Sequence, residues 1–358
     1  MKIVYLIEEN VFVQTGVISK IQQQLDSMGN FNNILPIGFN TTVTNKNSII
    51  KNCQFIYPFF NTNYQFLNKL LSSRQLFKVL KKEKPDIIYL RQSIWTPFYF
   101  KMFRKYNCVV EINSLDKNEL KYYKIYKRLW YLLGRNWILK KAKGLVTVSS
   151  EIEKSVREHN DNIIVNSNGI NYNEYIKNYS NERINNDRPQ LIFMGSLSQK
   201  WQGVEKVFYM AKKLGEFDFH CVGFEKGQLN LPKLNNLFIY ERLTKFELDE
   251  LMCKMDIGIG TLSLYEKKMN EASPLKVRQY LEHRMYLIVG YLDTDLSKND
   301  DGFHLQLPNE INNIEEYIEN IRNFIWCNYN KRIDTNLYKY SVEFKDKIKI
   351  EFFKSLLN

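Results

Sequence analysis

"NEYIKNYSNERINNDRPQLIFMGS" (173–196) changes character in its middle. Residues 173–188 are polar, rich in asparagine and without apolar period. Residues 189–196 are a short β-rich run. On the amino-terminal side the runs "KIVYLIE" (2–8), "NNILPIGF" (32–39), "QFIYPFF" (54–60), "DIIYLR" (86–91), "CVVEINS" (108–114) and "GLVTVSS" (144–150) alternate with stretches long enough for crossover helices. After the polar segment the alternation restarts with "PQLIFMGS" (189–196), "FDFHCVGF" (217–224), "NLFIYE" (236–241), "DIGIGTLS" (256–263) and "MYLIVGY" (285–291). Each series has the pattern of a parallel, doubly wound sheet. The expected organisation is α/β, with a Rossmann-like domain over 1–172, a linker over 173–188 and a second Rossmann-like domain over 189–339. A closing amphipathic helix, 340–358, is expected to pack back on the first domain. There is no internal repeat and no low-complexity tract.

At 358 residues the chain exceeds one ordinary core and suits two domains of roughly 100–200 residues, which predicts a cleft between two lobes. Hydrophobic residues at 44% with 25% charged residues describe a soluble globular protein. No run approaches the roughly 18 apolar residues of a membrane span, and "MKIVYLIEENVF" lacks a small-residue cleavage site, so a cytoplasmic protein is expected. The five cysteines (Cys53, Cys108, Cys221, Cys253, Cys327) are odd in number and never form C-x-x-C, which argues against a disulfide framework and a zinc site and predicts buried thiols. Lys and Arg total 51 against 39 acids, a net charge of +12 that favours an anionic partner: nucleic acid, a membrane surface or a phosphorylated substrate. No nucleic-acid motif accompanies the charge, so nucleic acid is not expected.

"NEASPLKVRQYLE" (270–282) carries the most chemistry. Ser273 is a good helix cap and Pro274 a good first helical residue, since the cap supplies an acceptor for free backbone N–H groups and proline lacks one. The first turn, Leu275, Lys276 and Val277, then presents unpaired N–H groups and a cation where a diphosphate can dock. Glu271 precedes the helix, and Gln279 lies one and a half turns inside it. The same residues read equally well as a capped surface helix with unrelated polar groups.

Several passages fall in the order of one family. "EASPLKVRQ" (271–279) resembles the E-x7-E motif of the retaining GT-B glycosyltransferases of family four, with Gln279 in the second acidic place. "GLVTVSSEIEKSV" and "NIIVNSNGINYNEY" resemble the passage closing that family's first lobe. "LIFMGSLSQKWQGVEKV" resembles the strand and glycine turn opening its second, "CVVEINSLDKNEL" resembles its E-x-N passage, and "VQTGVISKI" (13–21) sits where its first glycine loop does. The resemblance covers nearly the whole chain and implies a GT-B fold, two Rossmann-like domains facing across a cleft with a carboxy-terminal helix closing the structure. It implies that Glu271 contacts the donor sugar as the catalytic residue, that Leu275 and Lys276 hold the diphosphate, and that Gln279 meets the ribose. Gly195, Ser196 and, from the first lobe, Gly16 let backbone approach the phosphates. Ser196 stands where many members carry arginine, Lys200 is the stand-in for a following lysine, and Lys267 and Lys268 are available to compensate. His159 is the one histidine of the first half and reads as a surface residue. Arg91 at a strand end is the more interesting polar group, or a salt-bridge partner.

A ribose diol loses one charge-assisted bond when glutamine replaces glutamate, about 1–1.5 kcal/mol or roughly tenfold in binding, which weakens a donor site without abolishing it. The implied function is transfer of a hexosyl or N-acetylhexosaminyl group from a nucleotide-sugar, UDP-linked, to a glycan or lipid-linked glycan acceptor in surface polysaccharide synthesis. The alternatives are a catalytically silent partner subunit and a sugar-nucleotide epimerase of the same fold. No cofactor and no metal are expected, since Asp293 and Asp295, a literal D-x-D, read as a turn. In "KYYKIYKRLWYLLGRNWILKK" (121–141) basic and apolar residues interleave. The stretch reads either as a peripheral contact with the inner face of the cytoplasmic membrane or as a core helix with snorkelling lysines.

Overall fold

The computed structural model describes residues 1–13, 15–39, 48–57, 65–93, 95–116, 125–172, 186–224, 233–296 and 302–358. The expected linker over 173–188 lies outside them except for its last three residues. Two compact units emerge, Met1–Ser167 together with Val342–Asn358, and Asn168–Ser341.

The first unit holds strands β1 (Lys2–Ile7), β2 (Asn33–Phe39), β3 (Gln54–Ile56), β4 (Ile87–Arg91), β5 (Cys108–Ile112), β6 (Gly144–Thr147) and β7 (Ile163–Val165). They form one parallel sheet in the order β3-β2-β1-β4-β5-β6-β7. Its helices are α1 (Gly16–Gly29), α2 (Gln65–Glu83), α3 (Pro97–Lys105), α4 (Ile125–Lys141) and α5 (Ser150–Val156). The second unit holds β8 (Gln190–Met194), β9 (Asp218–Val222), β10 (Leu237–Tyr240), β11 (Ile257–Ile259), β12 (Glu271–Ala272), β13 (Tyr286–Val289), β14 (Leu292–Asp293) and β15 (His304–Gln306). The main sheet is parallel in the order β10-β9-β8-β11-β13-β15, and β12 pairs with β14 beside it. Helices α6 (Val204–Lys213), α7 (Lys245–Cys253), α8 (Leu275–Glu282) and α9 (Ile318–Asn328) belong to this unit, and α10 (Val342–Ser355) returns to the first.

Parallel strands covered on both faces need apolar residues at every position. In β1, Val4 and Leu6 enter one core while Ile3, Tyr5 and Ile7 enter the other. The second core is completed by Ile350 and Phe353 of α10 and by Leu356 just after it, packed with Ile87, Tyr89, Val109 and Val146. A Cβ on Gly144 would lie 2.8 Å from the Phe352 side chain, so the helix approaches β6 at a residue without one. Cys108 and Cys221 are buried, and burial pushes their thiols up. Cys327 corrects the expectation of five buried thiols: two residues past the core residue Ile325 on α9, it turns to the opposite face and is exposed.

Inside the first unit lies a charged network. Lys20 Nζ of α1 donates to Glu111 Oε1 at 2.5 Å and to Asn113 Oδ1 at 2.8 Å. Glu111 Oε2 accepts from the Tyr89 hydroxyl and from Gln24 Nε2, whose own Oε1 accepts from Tyr5. Burial would raise the Glu111 pKa, but Lys20, Lys349 and Arg91 outweigh it and hold the carboxyl below its usual range. Burial in turn lowers Lys20 to about 8 against the pull of Glu111. The E-x-N passage therefore fastens α1, which begins at Gly16 with Thr15 Oγ1 accepting from Ile18 N at 3.2 Å, to strand β5. Arg91, at the end of β4, places its Nε 3.3 Å from Glu9 Oε1. His159 is not at the surface: its side chain is 9% exposed with Nε2 3.2 Å from Glu158. Removing one member of a buried ion pair leaves an uncompensated charge. Lys20→Ala is expected to cost about 3–5 kcal/mol in denaturant unfolding, and Lys20→Ala with Glu111→Leu less than Lys20→Ala alone.

Candidate functional site

Strand order in the second sheet reverses between β8 and β11, since the chain runs outward through β9 and β10 before returning to β11. A crevice at the carboxyl ends of two such strands is where open α/β sheets bind ligands. The sequence candidates Gly195, Ser196, Leu275 and Lys276 are all at this place.

The loop after β8 is folded around one amide. Gln202 Oε1 accepts from Ser196 N at 2.8 Å, while Gln202 O accepts from Leu262 N at 3.1 Å, tying the loop after β8 to the loop after β11. A Cβ on Gly195 would lie 2.7 Å from that same Oε1 and 2.5 Å from the Phe193 ring. Gly223, after β9, has φ +98°, and a Cβ there would lie 2.4 Å from Gly195 O. Gly203 has φ +77° and turns the chain from Lys200–Gln202 into α6 against Ser263. The "WQG" of the sequence thus shapes the loop after β8: Gln202 holds the loop and Gly203 makes the turn. Gln202 and Gly223 escaped the sequence reading, although the quoted "WQG" contained the first. Lys200 is exposed at the head of this turn, and Lys267 Nζ lies 4.5 Å over the Trp201 ring.

Helix α8 reaches the same point from below. Lys276 Nζ donates to Met194 O at 3.1 Å and lies 4.1 Å from the Phe193 ring centroid, while the Tyr280 hydroxyl accepts from Met194 N at 2.9 Å. Two side chains one turn apart therefore grip both polar backbone groups of the last β8 residue. The first turn of the helix is set beside Gly195. Burial lowers the Lys276 pKa to about 7. An anion at the helix start would restore the charge.

Ser273 does not cap this helix. Pro274 occupies the N-cap position and the helix starts at Leu275. Ser273 Oγ instead accepts from Asn168 N at 3.0 Å and from Arg278 Nη2 at 2.9 Å. The Arg278 guanidinium, fully buried, also donates to both Asp293 oxygens at 3.1 and 2.8 Å, to Asp295 at 3.3 Å and to Asn168 O at 2.8 Å. A buried guanidinium with two carboxylates outbids a helix end for the hydroxyl. The D-x-D pair is thereby engaged by an arginine, and among the described residues no group of three or more His, Cys, Asp or Glu side chains could hold a metal ion. Glu271 sits half-buried in β12, held next to the helix start by pairing with β14. Gln279 is half-buried within α8. Gly16 belongs to the first unit.

Residues 40–174 match the model of Glycosyltransferase Family 4. That range includes the E-x-N and "NSNGI" passages and excludes the E-x7-E stretch. A search of curated proteins finds no match. Among solved structures, the lipopolysaccharide outer core galactosyltransferase WaaB in its apo form is similar at a TM-score of 0.69 and 14% identity, covering 99% of this chain and 100% of that one. An alpha-glucosyltransferase in complex with UDP-glucose and DNA containing an abasic site gives 0.66 at 14%, with 99% of each chain covered. Sucrose-phosphate synthase from Thermosynechococcus elongatus gives 0.64 at 10%, again with 99% of each. These likenesses show the fold: the chain has the α/β architecture of the GT-B glycosyltransferases, with parallel sheets in two domains.

Arg278→Met is expected to leave the buried Asp293 and the half-buried Asp295 without their cation and to cost about 3–5 kcal/mol, measured by urea unfolding.

Proposed function

We propose that this chain is a retaining glycosyltransferase of the GT-B type, moving a hexosyl or N-acetylhexosaminyl group from a UDP-sugar to a glycan or lipid-linked glycan acceptor in surface polysaccharide synthesis on the cytoplasmic side. The family match over 40–174 and the GT-B neighbours support glycosyl transfer. Neighbours solved with UDP and UDP-glucose support the donor class. The observation that carries the reading is the meeting of Lys276, the start of α8 and the Gly195–Ser196 loop around Met194, which we read as an anion site at the switch point of the sheet. No resident cofactor or metal enters this reading.

In it the diphosphate lies on the Leu275–Val277 amides with Lys276 beside it, and Glu271 orients the sugar hydroxyls. Gln279 accepts one ribose hydrogen bond. Retention follows from front-face displacement: the acceptor oxygen forms the new bond to the anomeric carbon as the bond to the phosphate oxygen breaks, and that oxygen takes the acceptor's proton. Such a reaction asks the protein for positioning and phosphate stabilisation more than for a base. The DNA in the glucosyltransferase structures belongs to those proteins. Here the acceptor is taken to be a glycan.

Two measurements test this. With purified protein, UDP-sugars and a panel of glycan acceptors, transfer with retained anomeric configuration is expected, and Glu271→Gln should lower kcat about a hundredfold or more while nucleotide still binds. Folded protein that binds no nucleotide is the outcome of a silent partner subunit, and release of an epimerised sugar that of an epimerase. The second concerns pH. Lys276 is depressed to about 7 in the free protein, so it is a cation below that pH and loses its proton above it. A docked diphosphate raises its pKa, so binding takes up a proton above pH 7. The Kd for a UDP-sugar, whose diphosphate charge is constant in this range, should rise up to about tenfold per pH unit above 7, by calorimetry in buffers of different ionisation enthalpy. Lys276→Met should bind weakly with a flat profile.

A further inference from the structure

The outward face of α4 is apolar where a sheet-covering helix is ordinarily polar. Ile125, Leu129 and Leu133, one turn apart along a stripe about 12 Å long, are 77%, 58% and 73% exposed. Trp130 beside them is 46% exposed and meets Trp95 edge-on at 5.3 Å. Trp137 continues the ledge to α3, stacking at 5.5 Å on Phe100, itself 47% exposed. Two helices thus share one aromatic and aliphatic surface. The face that packs inward is a different one: Ile138 and Leu139 enter the core, and Arg135 is buried on Asp116 at 2.7 Å.

The charge on these two helices has one sign. Neither α3 nor α4 contains an acidic residue, whereas Lys101, Arg104, Lys105, Arg128, Lys140 and Lys141 are exposed on them. Arg104 lies 5.1 Å over the Phe100 ring, so cation and aromatic present together. Residues 121–124, which precede the helix, lie outside the described residues. Among the described residues no helix is long and apolar enough to cross a membrane.

We propose that the α3–α4 face docks on the surface of an anionic phospholipid bilayer, Ile125, Leu129 and Leu133 entering the acyl boundary and the surrounding cations meeting headgroup phosphates. Amphipathic helices with aromatic and aliphatic residues on one side and Lys or Arg around them bind in this way, the cations adding electrostatic attraction to the anionic surface. A second copy of the chain is the poorer occupant, because two faces without an acid repel. The same complementarity that excludes a copy selects the bilayer. The surface is separate from the anion site around Met194, and the proposal stands independently of the transferase reading.

The test is co-sedimentation of the full chain with phosphatidylcholine vesicles, with and without phosphatidylglycerol, at low and high salt. The wild type is expected to partition onto the anionic vesicles alone and to be released by salt. Lys140→Glu with Lys141→Glu should lower the partition coefficient about tenfold or more, and so should Leu129→Ser with Leu133→Ser. All four substitutions are at exposed positions, so the unfolding midpoints should match the wild type. Equal binding to neutral and anionic vesicles, no binding to either, or both variants binding as the wild type does would overturn the proposal. So would wild-type dimerisation without vesicle binding that the serine pair abolishes, which would assign the face to a second copy.

Discussion

The second unit depends on one buried guanidinium. Arg278 draws together a strand end (Asp293, Asp295), a loop hydroxyl (Ser273) and a backbone carbonyl far away in sequence (Asn168), and each of these fixes a segment beside the helix start. Its bidentate pairing with Asp293 fixes orientation as well as distance, which a lysine at this position would not do. Because Ser273 is held by Arg278, the backbone of Pro274 and Leu275 enters the helix at a set angle. Because β14 is held by the same group, β12 and therefore Glu271 are held too. The side chain that organises the candidate site is thus a fully buried one.

A second constraint is the placing of lysines where water is scarce. Among the described residues Lys276 meets a neutral carbonyl and an aromatic face, so its charge is held at a cost that an anion would relieve. Lys20 shows the contrasting arrangement. There a carboxylate and an amide already satisfy the cation, and the result is a fastening between helix and strand. Lys20, buried, and Lys276, half-buried, therefore have different uses, decided by whether the partner is already supplied.

Much of the fold was legible because parallel strands covered on both faces are continuous apolar runs. All eleven quoted runs contain strands, and the restart at 189 marks the second sheet. Short strands such as β7, β12, β14 and β15 give too few residues for a period to register, and their pairing is decided by neighbours distant in sequence. Ser273 was misjudged because local capping rules see only the next three residues, whereas the competing donors, Asn168 N and Arg278, come from elsewhere. Gln202 and Gly223 were passed over for a similar reason: an amide that closes a loop and a glycine that yields to a carbonyl leave no local mark. The outward face of α4 was visible as interleaved cations and apolar residues, but only packing distinguishes which of those apolar residues are covered.

The return of α10 to the first unit has a consequence during synthesis. Ile350, Phe353 and Leu356 leave the ribosome only after the whole of Asn168–Ser341 has been made. Until then one face of the first sheet, with Ile87, Tyr89, Val109 and Val146, lacks one of the helices that pack on it, while the second unit has all its strands in hand. The nascent chain therefore completes its units in reverse order of their beginning. Through that interval an apolar sheet face waits for its cover, and it is there that chaperones would find their hold.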